Sequence, residues 1–164
     1  MRAFIGIKPL DCLNDLVVVQ NDLKTQTQGH FTKPENIHLT LFFLGEIDDS
    51  QVEKVKAVFE KMVFKSFSLE INEITNFKDM IIAKTKKSFQ LDWLYKKLKD
   101  LLMNQGFSFE NRPYFSHITL ARETNCPIKK DVSYSFKVNT VTLFSSERDN
   151  NGLKYRPIIR FDLD

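Results

Sequence analysis

The stretch Ile37-His38-Leu39-Thr40-Leu41-Phe42-Phe43-Leu44, stopped by Gly45, decides the fold, because its pattern returns at Ser116-His117-Ile118-Thr119-Leu120-Ala121-Arg122. Both runs read as strands, and residues two apart on a strand share a face. His38 and Thr40 therefore point one way while Leu39 and Leu41 point into a core. His117 and Thr119 do the same in the second copy. The chain has only 3 histidines. At average residue usage, a repeated His-aliphatic-Thr-Leu has a chance frequency on the order of one in a hundred thousand.

Working outward from the two motifs, the flanking segments are duplicated as well. Before the first lies a strand from Ala3 to Lys8, closed by Pro9. A helix from Leu10 to about Gln26 follows, with Leu13, Leu16, Val17, Gln20 and Leu23 at helical spacing, and then a polar loop to Asn36. Before the second lies a strand from Met80 to Thr85. Its helix carries Leu91, Leu94, Tyr95, Leu98, Leu101 and Leu102 and ends at Gly106. Between the copies, Asp48, Asp49 and Ser50 offer helix N-caps ahead of the apolar stripe Val52, Val55, Phe59, Met62 and Val63. Phe67, Leu69 and Ile71 then alternate as a strand. The tail reads as strands Tyr134 to Ser145 and Tyr155 to Leu163 around the turn Arg148 to Gly152. Self-similarity of this kind implies two related lobes. The mixture of helices and short strands points to an α+β fold. No linker divides the lobes, so residues 1–164 are expected to form one compact unit.

Composition narrows the function classes. Of 164 residues, 42% are hydrophobic and 27% charged, with 5 Gly and 5 Pro, which excludes disordered and collagen-like chains. The longest apolar runs fall short of the ~20 residues of a membrane span. The start MRAFIGIKPL turns charged and Pro-broken too early for a signal peptide, so a cytoplasmic location is expected. Cys12 and Cys126 make no disulfide framework and are expected to be inert thiols. A net charge of +3 is too small for a non-specific duplex-DNA binder, but it is compatible with a small anionic ligand. The lysine clusters at 84–87, 96–99 and 129–130 read as solvated surface.

Two imidazoles and two hydroxyls facing one cleft suit a phosphodiester. One histidine can activate water as general base while the other protonates the leaving oxygen. Threonine hydroxyls can donate to the non-bridging phosphate oxygens. A zinc site would need an HExxH pattern, carboxylates on the histidine faces or cysteine spacing; none is present, so no metal and no cofactor are expected.

At these residues the chain resembles the 2H phosphoesterase superfamily, whose signature is a pair of H-x-T motifs. PENIHLTLFFLGEI and RPYFSHITLAR, together with MRAFIGIKP and GHFTKPEN, resemble the RNA 2′,3′-cyclic phosphodiesterases, also called 2′-5′ RNA ligases, over nearly the whole length. The resemblance implies a bilobal fold with antiparallel sheets lining a central cleft and helices outside. It implies metal-independent hydrolysis of an RNA 2′,3′-cyclic phosphate to a 2′-phosphomonoester, with RNA ends or cyclic nucleotides as substrates and a monomeric enzyme. His38 maps onto the family's proton donor, His117 onto its proton acceptor, and Thr40 and Thr119 onto the motif threonines. Two departures stand out. The family commonly has Arg-Pro where this chain has Phe115-Ser116, leaving Arg112 and Arg122 to supply a basic contact. The strand that often carries a Trp reads Met80-Ile81-Ile82-Ala83-Lys84.

Other residues are candidates of lesser weight. Arg122 is a phosphate ligand only if a bend interrupts strict alternation, which would otherwise turn it away from His117. Phe42 and Tyr114 are base-stacking candidates, with core packing the competing reading, and Phe31 is open to the same two readings. His30 is expected at the surface. Competing functions are a phosphodiesterase or reversible ligase for 2′-5′ linked oligonucleotides, and a non-catalytic RNA-end binding module.

Overall fold

The computed structural model describes residues 1–164. Strand β1 (Arg2–Ile7) runs through a 3-10 turn into α1 (Leu13–Lys24). The short β2 (His30–Phe31) precedes β3 (Leu39–Glu46), α2 (Asp49–Lys61), β4 (Phe67–Phe77) and β5 (Met80–Thr85). Then come α3 (Phe89–Asn104), β6 (His117–Arg122), β7 (Lys129–Val138), β8 (Thr140–Asp149) and β9 (Gly152–Asp162). Local chemistry sets the helix ends. Of the three cap candidates before α2, Asp48 is the one used: its carboxylate accepts from Gln51 N at 2.8 Å while its own N–H donates to Gln51 Oε1 at 3.0 Å. Ser88 caps α3 by accepting from Leu91 N. Gly106, at φ 96°, lets the chain leave that helix.

The strands form one strongly curled antiparallel half-barrel in the order β7-β4-β5-β6-β3-β1-β8-β9, with β2 beside β6. The order is symmetric about the β6–β3 junction: β5 and β1 flank it, then β4 and β8, then β7 and β9. The duplicated segments are thus two halves of one sheet, in which β3 and β6 meet through the single antiparallel pair Leu39↔Ile118. The three helices cover the face that carries these two residues, and Leu16, Val19, Val55, Leu94 and Leu98 share with them one core cluster of 35 buried residues. No helix is long and apolar enough to cross a membrane.

Two expectations change. The strand read from Tyr134 to Ser145 is broken at Asn139. β7 pairs with β4 at one edge, whereas β8 crosses to pair with β1 in the other half. No Gly or Pro marks the crossing. Asn139 instead spends its carbonyl on Leu163 N at 2.8 Å. The chain's last two strands therefore complete the half that its first strand began.

The second change concerns alternation. Gly6 lies opposite Thr40 but Ile5 opposite Phe42, so Leu41 is an extra residue in β3. Ile82 lies opposite Thr119 but Ile81 opposite Ala121, so Leu120 is an extra residue in β6. Each is a β-bulge directly after the motif threonine. Leu41 and Phe42 both turn into the core, as do Leu120 and Ala121. Phe43 and Arg122 are returned to the face of the histidines. The Leu120 carbonyl at the bulge is not left unpaired: it accepts from Thr32 N at 2.9 Å and from Gln20 Nε2 at 3.0 Å. This explains a glutamine that is only 2% exposed on the apolar stripe of α1.

Gly6 is held to its type by close approach. A Cβ there would sit 2.8 Å from the Leu39 carbonyl oxygen and 3.5 Å from His38 Cδ2. Gly6→Ala is expected to push β1 off β3, with a loss of about 1–3 kcal/mol in urea unfolding and a matching fall in any activity that depends on His38.

Candidate active site

The Leu39↔Ile118 pair fixes the geometry of the four motif residues. Both members point into the core at 0% exposure, so the residues flanking them share the opposite face. In an antiparallel register His38 then faces Thr119 and Thr40 faces His117. The two imidazoles occupy one diagonal of the square and the two hydroxyls the other. Diagonal neighbours across such a pair lie about 7–8 Å apart, which leaves room for a phosphate between them.

Each histidine is oriented by the same local device. His38 Nδ1 lies 2.7 Å from the carbonyl oxygen of Asn36, and His117 Nδ1 lies 2.9 Å from that of Phe115. A carbonyl only accepts, so Nδ1 carries the hydrogen in both rings and Nε2 is left for the cleft. There the symmetry ends. His38 Nε2 is 2.7 Å from Thr40 Oγ1. Thr119 instead lies 3.9 Å from the sulfur of Met80. The His38 ring is also walled in, by Phe4 at 4.6 Å and by Tyr155, edge-on, at 5.1 Å. His117 stacks on Phe115, with ring centroids 4.7 Å apart and planes 24° apart.

The β6 bulge settles the position of Arg122. It places the side chain on the histidine face, where Nη1 donates to Met80 Sδ at 3.1 Å. Its charge acts on both imidazoles and on Tyr155. Arg112 is elsewhere, in an exposed pair with Glu110. Phe42, a base-stacking candidate in the sequence, is corrected: at 3% exposure it is core, stacked on Tyr95 at 4.6 Å. The bulge moves the cleft-facing aromatic one residue on, to Phe43, which is 70% exposed. Tyr114 is corrected too. One ring face packs on Tyr95 at 4.3 Å, and its hydroxyl donates to the Thr40 carbonyl at 2.7 Å. It links the approach to the second motif with the strand of the first and packs against the core. Phe31 packs against the core. His30 is exposed and paired with Glu123 at 3.1 Å.

Several residues of the site gave no signal in the sequence. Phe4 comes from β1 and Lys8 directly follows it, Tyr155 comes from the distal hairpin, and Phe77 from the end of β4. Only Phe115 was visible, as a departure from the family pattern. No cluster of three or more His, Cys, Asp or Glu is placed to hold a metal ion. Burial pushes the Cys12 thiol up to about 11, with Asp15 and Asp11 adding to the effect. It is no nucleophile at neutral pH.

Electrostatically, the cleft disfavours charged histidine. Burial pulls His38 below its ordinary 6.5; the Nδ1–H bond to Asn36 opposes this, while Arg122, Lys8 and His117 reinforce it. His117 is lowered by burial first and by Arg122, against its bond to Phe115. In a proton-detected NMR titration, His38 and His117 are expected to show midpoints below 6.5. Inorganic phosphate should raise both, because a bound anion favours the imidazolium. Midpoints above 6.5 without phosphate would contradict this account of the cleft.

Comparison with known proteins fits this arrangement. Residues 7–80, which contain the first motif, match the family model described as LigT like Phosphoesterase. The RNA 2′,3′-cyclic phosphodiesterase of Thermotoga maritima is 30% identical, over 79% of this chain and 73% of its own. The protein of the same name from Bacillus subtilis is 26% identical, over 98% and 95%. Among solved structures, Escherichia coli LigT in complex with 3′-AMP superposes with a TM-score of 0.87, covering 99% of this chain and 97% of that one at 22% identity. With a duplicated motif, a curled sheet and relatives along nearly its full length, the chain belongs to the LigT-like phosphoesterase family.

Proposed function

We propose that this protein is an RNA 2′,3′-cyclic phosphodiesterase that opens a terminal cyclic phosphate to a 2′-phosphomonoester. The observation that carries the reading is the Leu39↔Ile118 register, which sets two imidazoles and two hydroxyls on one face with both Nε2 atoms toward the cleft. His117 Nε2 has no side-chain hydrogen bond and is the base. It takes a proton from water as the water oxygen bonds to phosphorus. The bond from phosphorus to the ribose 3′ oxygen breaks, and His38 Nε2 gives that oxygen its proton. Thr40, Thr119 and Arg122 hold the non-bridging oxygens, whose charge grows in the transition state. One chain carries all these groups, so a monomer suffices, and RNA ends or free cyclic nucleotides in the cytoplasm are the substrates.

The direct test is incubation with 2′,3′-cyclic nucleotides and with cyclic-ended RNA in the presence of EDTA, identifying the phosphomonoester by phosphorus NMR. The expected product is the 2′-phosphate, undiminished by the chelator. A 3′-phosphate product, cleavage of 2′-5′ linkages alone, or binding without turnover would overturn the reading.

His38→Ala and His117→Ala are each expected to lower kcat by about 10²–10⁴-fold. The double variant should be far less than multiplicatively worse, because the two act in one step. Thr40→Ala and Thr119→Ala each remove a neutral donor to an anion and should lose about one to two decades.

The pH dependence of kcat/KM follows from the lowered imidazoles. The base must be neutral and the acid charged, so the profile is a bell belonging to the coupled pair. Both groups lie below 6.5 in the free protein, so the maximum is expected on the acid side of 6.5. A flat profile from pH 5 to 8 would contradict two-histidine catalysis.

A further inference from the structure

The two walls of the cleft differ. On the His38 side, Phe4 is 3% exposed and packs against Phe144 and Tyr155, so its ring is already covered. On the His117 side, two aromatic rings are left partly open. Phe115 is 36% exposed and Phe77 is 37% exposed; their centroids lie 4.9 Å apart, and 4.7 Å and 6.0 Å respectively from the His117 ring. They arrive from different places. Phe77 ends β4 at the β4–β5 hairpin, where Lys78 takes a left-handed turn at φ 56°, and Phe115 stands two residues before β6. Cations flank them. Lys78 Nζ sits 5.4 Å over the Phe77 ring, and Lys84 is in register with His117 across β5 and β6. Adjacent open aromatic rings bordered by lysines are the recurring means of holding an unpaired base beside its phosphate.

Resting on the function proposed above, we infer that Phe77 and Phe115 form a stacking ledge for the base of the terminal nucleoside, which makes the protein select base-bearing cyclic phosphates. The base is held by its ring face rather than by hydrogen bonds to its edge, so all four bases are accepted, with purines favoured for their larger face.

The test compares kcat/KM for a 2′,3′-cyclic nucleotide with kcat/KM for ribose 2′,3′-cyclic phosphate, which has the same reacting group and no base. Wild type is expected to prefer the nucleotide by about 5- to 150-fold. Phe115→Leu and Phe77→Leu should each erode that ratio, chiefly through KM for the nucleotide, and Phe77→Trp should keep it or raise it. Both positions are partly exposed, and each ratio is taken within one variant, so altered stability does not mimic the effect. If Phe115→Leu lowers both substrates equally, the ring only positions His117 and the ledge is wrong. If Phe43→Leu erodes the ratio while the other two do not, the base lies on the opposite wall and the ledge is again wrong. Failure of wild type to open either substrate would instead overturn the proposed function itself.

Discussion

Everything in the cleft depends on one antiparallel contact between two strands, Leu39 against Ile118. Because both side chains are buried, the residues on either side of each must face away from the core, and those residues are the histidines and threonines. A slip of one residue in either strand would bury an imidazole and expose a leucine. The hydrophobic effect thus enforces the register that the polar face needs. Groups around the pair act in the same direction. Gly6 allows β1 to lie close over the Leu39 carbonyl, Tyr114 fastens the approach to β6 onto Thr40, and Gln20 fastens the β6 bulge to α1.

The near-symmetry of the halves stops at the side chains, and the difference is suited to unequal proton duties. His38 is enclosed by Phe4 and Tyr155 and bonded at both nitrogens. His117 is fixed at one nitrogen and stacked on a single open ring. Burial and neighbouring cations hold both rings toward neutrality. An arriving phosphate supplies the negative charge that makes one imidazolium affordable in the cleft. The charge state the chemistry needs is therefore coupled to occupation by an anion.

The sequence carried the repeat, the helices and the polar quartet, since each is written in local pattern: two His-x-Thr runs, a 3.6-residue stripe, a capping aspartate. What it hid depends on pairing. Period-two reading assumes unbroken alternation, so the bulge at Leu41 shifted the inferred cleft aromatic from Phe43 to Phe42. The bulge at Leu120 turned Arg122 toward His117 when alternation turned it away. The break at Asn139 was invisible because the flanking residues are equally good strand formers, and the break is imposed by which partner each side finds. Tyr155 could not have been tied to His38 without knowing that β8 and β9 return to β1. Tyr114 looked like a free aromatic until the Tyr95 ring and the Thr40 carbonyl were found against it.

That return has a consequence for the order in which the molecule assembles. The half holding His117 is contiguous, its four strands lying between Phe67 and Val138. The half holding His38 must bring Phe4 against Phe144, a closure across most of the chain, and such distant pairings form slowly. On a ribosome, β1 and the first motif emerge early and can pair with each other, yet β1 cannot acquire its second sheet neighbour until β8 has been made. Through most of synthesis the nascent chain carries β1 with one edge unpaired. The waiting edge is short, six residues, which limits its reach as a template for intermolecular pairing.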